Sequence, residues 1–303
     1  MTELTEFQRK ICQFLPEMML RFDEPMKEHT SFRIGGPAEV MAFPKNAEEL
    51  AQLIKVSDQL DIKPAILGAG TNVLAPDAGI RGLVICLKDA FGGMEQIADT
   101  AIRVMAGVTM TRAAVFAANL GLSGLEFAHG IPGTVGGGVY MNAGAYGGEI
   151  CQVCTAVDVM DLQGNVRRFS NEEMKFSYRH SVLEEEGGIV IAAEFALTKA
   201  PTEEIRGKMK ELMAKRSASQ PLDKPSAGSA FKRPAGYFAA ALIDQAGLRG
   251  FRVGDAAVSE KHTGFAVNLG NATAAEVKEL LRQVADKVYE HSGVHIEPEV
   301  RIW

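Results

Sequence analysis

The sequence predicts an α+β fold in two domains. Three observations carry this expectation. Strand-like and helix-like runs follow one another without strict alternation, two glycine-rich loops interrupt the first part of the chain, and a charged amphipathic stretch opens near Ala200-Pro201, where a domain boundary is expected. A length of 303 residues accommodates two domains, and 47% hydrophobic with 23% charged residues is ordinary globular composition.

Leu4 to Leu15 has helical apolar spacing and reads as a covering helix. A strand is expected over Ala38 to Phe43, closed by Pro44. Asn46 followed by Glu49 marks a capped helix start, with Leu50, Leu53 and Ile54 as its apolar stripe. Ala65-Ile66-Leu67 feeds the loop Gly68-Ala69-Gly70-Thr71-Asn72, and Thr109 to Leu120 is again helical. From Gly130 to Gly148 eight of nineteen residues are glycine, so no regular element is expected there. Val157 to Asp161 and Val166 to Phe169 form a hairpin about Gln163-Gly164-Asn165. Ile189 to Leu197 is a strand, and a helix runs from the boundary to about Arg216. Beyond it come a helix over Tyr237 to Gln245, a strand over Gly264 to Leu269, and a helix opened by Thr273 and Glu276 as a capping box. Val294 to Trp303 reads as a closing strand.

The net charge of −6 argues against a nucleic-acid binder, so any polyanion must be held by a local cluster of donors. Glu3, Glu6, Arg9 and Lys10 break up the N-terminus, which lacks a signal-peptide pattern. The longest apolar run, Tyr237 to Ile243, is too short to span a bilayer. A cytoplasmic protein without a membrane or nucleic-acid partner is expected. Cys151 and Cys154 have C-x-x-C spacing but lead into a strand and lack a second ligand pair, so two buried thiols and no metal are expected.

Val73 stands where a dinucleotide fingerprint needs its third glycine, and no Walker loop occurs. What remains is a strand feeding small residues whose successive N–H groups can cradle phosphate oxygens without a basic side chain. Gly130-Ile131-Pro132-Gly133-Thr134-Val135-Gly136-Gly137-Gly138 offers the same device over a longer span.

Six motifs in order then point to one family. His29-Thr30-Ser31-Phe32-Arg33-Ile34-Gly35-Gly36-Pro37, Leu67 to Leu74, and Gly130 to Gly137 continuing to Asn142-Ala143-Gly144-Ala145-Tyr146-Gly147 are the first three. Ser177-Tyr178-Arg179-His180-Ser181, Ala227 to Lys232, and Glu297-Pro298-Glu299-Val300 complete the set. Together they resemble the UDP-N-acetylenolpyruvoylglucosamine reductases from about residue 28 to the end. The resemblance implies an FAD-binding domain of the p-cresol methylhydroxylase and vanillyl-alcohol oxidase type over 1–200, in two α+β subdomains of about 1–75 and 76–200. A smaller α+β substrate-binding domain over 201–303 follows, its last strand packing back on the FAD domain. Only about ten residues separate Arg179 from the next strand, which matches the branch lacking an inserted substrate-closing tyrosine loop.

The implied reaction is NADPH-dependent reduction, through non-covalent FAD, of an enol ether carried on a UDP-sugar, in peptidoglycan precursor synthesis. FAD is expected on Arg33, Gly68, Ala69, Gly70, Thr71, Asn72, Val73, Leu74 and Gly107, and on Gly130, Ile131, Gly133, Thr134, Gly136, Gly137 and Asn142. Tyr178, Lys232, Arg233, Arg249 and His262 are expected on the substrate, with Arg233 offering an ionic contact where many relatives carry asparagine. Arg249 could equally cap the helix ending near Gly247. Charge that develops beside the substrate carboxylate calls for a cation, and the neighbouring carbon must receive a proton. By resemblance Arg179 holds the carboxylate, Ser229 donates the proton with Lys232 as a nearby charge, and Glu299 assists in its neutral form, with Glu297 ranked behind it. A monomer is expected. Two other readings stay open from the residues alone: an oxidase on the same FAD scaffold, and a non-catalytic nucleotide-sugar binder.

Overall fold

The computed structural model describes residues 4–303, which form two compact units, each gathered from separate stretches of chain. The first collects the chain up to Phe22, Glu39–Ala69 and Gly82–Ala214; the second collects Asp23–Ala38, Gly70–Arg81 and Lys215–Trp303. Compactness therefore does not divide the chain at one cut near residue 200.

Ala65–Leu67 runs parallel to Ile80–Cys86, in a four-stranded sheet completed by Pro37–Ala42 and Leu20–Pro25, most of whose residues belong to the first unit. An antiparallel five-stranded sheet follows the order Val166–Ser170, Cys154–Met160, Ile189–Ala196, Ala101–Met105, Met94–Ala98. Its hairpin closes with Met160 opposite Val166, and the Asp161 carboxylate accepts the N–H groups of Gln163 and Asn165. The helix Glu6–Phe14 starts at a capping box of Thr5 and Gln8, and Ala47–Gln59 at an Asn46 cap, burying Leu50, Leu53 and Ile54. Phe91, Val104, Val157 and Phe195 lie in the core beneath.

The second unit is built on the sheet Ser226–Ser229, Phe265–Asn268, Ala256–Val258, Arg252–Val253. The helix Ala274–Ser292 buries Val277, Leu280, Leu281, Val284 and Val288, and Gly293 ends it in the left-handed conformation at φ +71°. Phe32, Ile34 and Leu74, from early in the chain, share this core. Arg301–Ile302 pairs in parallel with Val73–Leu74. The fold is α+β, as expected, and among the described residues no helix is long and apolar enough to cross a membrane.

Three local expectations need correction. The glycine-rich stretch contains a helix, Val135–Tyr140, whose Thr134 cap accepts from Gly137 N–H. Tertiary packing overrides the poor propensity: Val135 and Val139 are buried, and a Cβ on Gly136 or Gly138 would lie 2.9 Å from Ala106 Cβ or 2.8 Å from Met110 Sδ. The closing strand shrinks to Arg301–Ile302, preceded by a single bridge between Phe231 and Pro298. Proline has no N–H to continue a ladder. The cysteines are free; Cys154 is buried and its thiol is pushed up to about 12 by burial, whereas Cys151 is only half-buried.

Candidate active site

The strand Ala65–Leu67 ends at the first loop. The N–H groups of Gly68, Ala69, Gly70 and Thr71 donate to nothing among the described residues, while the carbonyls of Gly70 and Asn72 accept from Ser31 and Arg301. The loop is thus tied down through its acceptors and keeps a row of unused donors, the arrangement that suits an anion. Gly70 holds φ +61°, and a Cβ there would stand 2.0 Å from the His29 carbonyl oxygen. Leu74 is buried and Val73 and Leu74 are paired strand residues, so both can offer a ligand little beyond their backbone.

In the second loop the N–H groups of Val135 and Gly136 are taken by the Val108 and Ala106 carbonyls. Those of Gly133 and Thr134 remain unused among the described residues. Gly137 is exposed, and a Cβ there would meet only Thr134 Oγ1 at 3.6 Å. Packing within the protein therefore does not require glycine at that position. Gly107 has a different cause. Its Cβ would fall 2.0 Å and 2.4 Å from the Leu87 and Phe91 carbonyls, so backbone packing accounts for it. Gly130 and Ile131 are half-buried, with Ile131 N–H bonded to Ala128, and Arg33 is exposed at φ +55°. Asn142, expected at the flavin, is 1% exposed and its amide is engaged inside the protein by Cys151, Glu149 and Ser177. Within each loop, unused N–H donors among small residues suit a phosphate oxygen.

Arg179 sits third in a tight turn closed by reciprocal hydrogen bonds of 3.2 Å between Ser177 and His180. Its φ is +57°, a conformation that turns ordinarily reserve for Gly or Asn and that costs an arginine about 1–2 kcal/mol. Strain of this kind persists where the surroundings over-determine the backbone. The guanidinium lies 5.1 Å from the ring of exposed Tyr178, and Nη2 donates to the Gly144 carbonyl at 3.5 Å.

Ser229 ends a strand with one extra residue: Ser226 pairs with Val267 and Ser229 with Phe265, and Gly228 takes φ +78°. Such a bulge re-aims the side chain that follows it. Ala227 and Ala230 stay buried while Ser229 faces solvent. Beside it, Glu299 N–H donates to the Ala230 carbonyl at 2.9 Å, Lys232 N–H to Glu297 at 2.9 Å, and Asn72 Nδ2 to the Glu299 carbonyl at 3.2 Å. Three motifs remote in sequence, those of Asn72, Ser229 and Glu299, are thereby joined within the second unit, two through the backbone and the third through the Asn72 amide. Glu299 is half-buried; Glu297 is exposed and faces Lys232 at 3.7 Å.

The expected phosphate donors are mostly engaged. Arg249 holds Asp244 through Nε and Nη2 and also donates to the Glu260 carbonyl, so its link to the helix Ala239–Gln245 is through a side chain rather than a terminal carbonyl. Arg233 lies over the Phe238 ring at 3.9 Å. His262 packs edge-on to Phe265, and Nδ1 accepts Gly264 N–H at 3.2 Å, which leaves the proton on Nε2. Burial pushes the His262 imidazole below its ordinary value, and the charge of Arg249 adds to that, so the ring is neutral at pH 7. The native state then binds protons less readily than the unfolded chain. Stability is therefore undiminished above the unfolded value of about 6.5 and is lost as pH falls below it toward the depressed native value. Urea midpoints at pH 7.5 and 5.5 should show a smaller acid-side drop in His262→Gln than in the parent chain. His129, also lowered by burial, accounts for part of the remaining drop.

Sequence reading missed several supporting residues. Ser31 Oγ donates to the Ser226 carbonyl at 2.6 Å, and buried Asn268 donates to the Phe32 carbonyl while accepting from Gly270 and Ala272. Asp77 accepts the first two N–H groups of the helix Ala274–Ser292 at 2.7 and 3.0 Å. The partners Ser226 of Ser31, Phe32 of Asn268 and the helix start at Ala274 of Asp77 lie far away in sequence, so no local pattern announces them.

A family model described as the UDP-N-acetylenolpyruvoylglucosamine reductase C-terminal domain matches residues 220–303, and one described as an FAD binding domain matches residues 38–170. The chain is similar to the UDP-N-acetylenolpyruvoylglucosamine reductases of Agathobacter rectalis, at 47% identity covering 98% of both chains, and of Syntrophomonas wolfei, at 45% covering 97% and 98%. Its structure is similar to the crystal structure of the corresponding enzyme from Thermus caldophilus, with a TM-score of 0.79, 37% identity, and coverage of 95% and 99%.

Proposed function

The chain belongs to the UDP-N-acetylenolpyruvoylglucosamine reductases, FAD-dependent oxidoreductases of peptidoglycan synthesis, and from this we propose how its own residues divide the work. The substrate is the UDP-N-acetylglucosamine enolpyruvyl ether and the product UDP-N-acetylmuramate. Bound FAD, reduced by NADPH, supplies the hydride. The N–H groups of Gly68 to Thr71, Gly133 and Thr134 hold the cofactor diphosphate, with Gly137 allowing its close approach. We assign FAD binding to residues 1–200, in subdomains of about 1–75 and 76–200, and substrate binding to 201–303.

Arg179 grips the substrate carboxylate with two parallel hydrogen bonds and stabilises the charge that develops beside it. Ser229 gives its hydroxyl proton to the neighbouring carbon, with Lys232 as the nearest cation of its segment. Glu299 works as a neutral acid, because an ionised carboxylate would oppose the developing negative charge. Tyr178, Lys232, Arg233, Arg249 and neutral His262 bind the UDP portion. The enzyme is a cytoplasmic monomer that takes NADPH as its reductant.

The observation that carries this division is the pair of backbone bonds that sets Glu299 beside the Ser229 segment, with the Asn72 amide of the first loop holding the Glu299 carbonyl. Purified protein is expected to be yellow, to bleach with NADPH, and to recolour anaerobically only when the UDP-enolpyruvyl sugar is added. Recolouring by an unrelated acceptor would overturn the reading in favour of an oxidase, and a colourless preparation would overturn it altogether.

A further inference from the structure

Asn142 is buried, holds φ +41°, and uses every polar atom of its side chain. Its Oδ1 accepts Cys151 N–H at 2.9 Å, and Nδ2 donates to Glu149 Oε2 at 3.1 Å and to the Ser177 carbonyl at 3.0 Å. That carbonyl also accepts the His180 N–H that closes the Arg179 turn. One amide therefore grips the oxygen on which the strained turn depends. On the far side of the turn, fully buried Ser181 donates through Oγ to the Tyr140 carbonyl at 2.7 Å, at the end of the helix that follows the second loop.

We propose that Asn142 is a positioning residue for Arg179, fixing through the Ser177 carbonyl the turn that aims the guanidinium. The proposal rests on the reading of Arg179 as the carboxylate-binding cation. The φ > 0 backbone of Arg179 relaxes unless something holds it, and the two clamps, Asn142 and Ser181, stand on either side of it. The second loop thus connects to the turn by side-chain hydrogen bonds, and Asn142 reaches the reaction through Arg179 rather than through the cofactor.

Asn142→Gly and Asn142→Asp test this, since both residues tolerate positive φ. Glycine removes all three side-chain bonds; aspartate keeps the acceptor for Cys151 but loses both donors and adds a charge beside Glu149. In the holoenzyme, the flavin-to-protein absorbance ratio and the rate of bleaching by NADPH are expected to match the parent. Recolouring by the UDP-enolpyruvyl sugar is expected to slow about 10²-fold, the cost of a misaimed group. In an Arg179→Ala background, Asn142→Gly should add less than 3-fold. Ser181→Ala, a smaller change, should slow the same step alone.

Loss of flavin from either Asn142 variant would overturn the proposal by making Asn142 a cofactor residue. Full additivity with Arg179→Ala would overturn it too. Unchanged recolouring in Asn142→Gly, with Arg179→Ala impaired, removes the positioning role and leaves the reading of Arg179 intact. Unchanged recolouring in Arg179→Ala itself overturns both.

Discussion

Glu299→Gln is expected to bind FAD and bleach with NADPH at the parent rate, yet to recolour with the UDP-enolpyruvyl sugar about 10²–10⁴-fold more slowly, the usual contribution of a positioned acid. Stopped-flow absorbance on the two half-reactions separates the steps. Glutamine keeps the size and one donor of a neutral carboxyl but cannot part with a proton. The backbone bonds to Ala230 and from Asn72 do not involve the side chain, so the segment should stay in place. Glu297→Gln is the control. That side chain is 76% exposed and faces Lys232 at 3.7 Å, so its loss should change the rate less than 3-fold. If neutral Glu299 is the working form, the recolouring rate must fall as pH rises through its titration; a rate that climbs instead would show the carboxylate to be active.

Gly70→Ala is expected to give unstable, colourless protein, with about 2–5 kcal/mol lost from folding. The left-handed φ and a Cβ 2.0 Å from the His29 carbonyl act together, and the obstacle is backbone rather than a side chain that could turn aside. Gly137→Ala provides the contrast. At an exposed helical position with space for a methyl group, alanine should raise the stability of the flavin-free protein by about 1 kcal/mol while weakening FAD binding. Urea midpoints and the flavin-to-protein absorbance ratio of both variants decide the matter. A yellow, stable Gly70→Ala protein would show that the loop adapts around the added atom.

Much of the secondary structure was legible because its signals are local. Asn46 and Thr273 cap the helices they announced, and the apolar stripe from Val277 to Val288 is the buried face. The helix Val135–Tyr140 escaped because its stability comes from burial of Val135 and Val139 and from close packing on Ala106 and Met110, while its own glycines argue against it. The closing strand was overread because an apolar run says nothing of whether a partner strand is present along its whole length. At the site, the loops could be seen in the sequence, and the catalytic roles proposed for Arg179, Ser229 and Glu299 rest on resemblance. What no local pattern could supply was the juxtaposition of Asn72, Ser229 and Glu299, or the role of Asn142, whose three partners are fixed only by the fold.

The interleaved composition of the second unit also sets an order of events during synthesis. Phe32, Ile34 and Leu74 belong to a core otherwise supplied by Leu242, Val277, Leu280 and Val300, and the strand Val73–Leu74 finds its partner only at Arg301–Ile302. At ribosomal rates of about 5–20 residues per second, these early segments wait roughly 10–45 s after emerging before their partners exist. The His29 motif and the later half of the first loop are therefore completed last, although they are made first. A nascent chain halted before Arg301–Ile302 leaves the strand Val73–Leu74 without the partner it has in the folded protein.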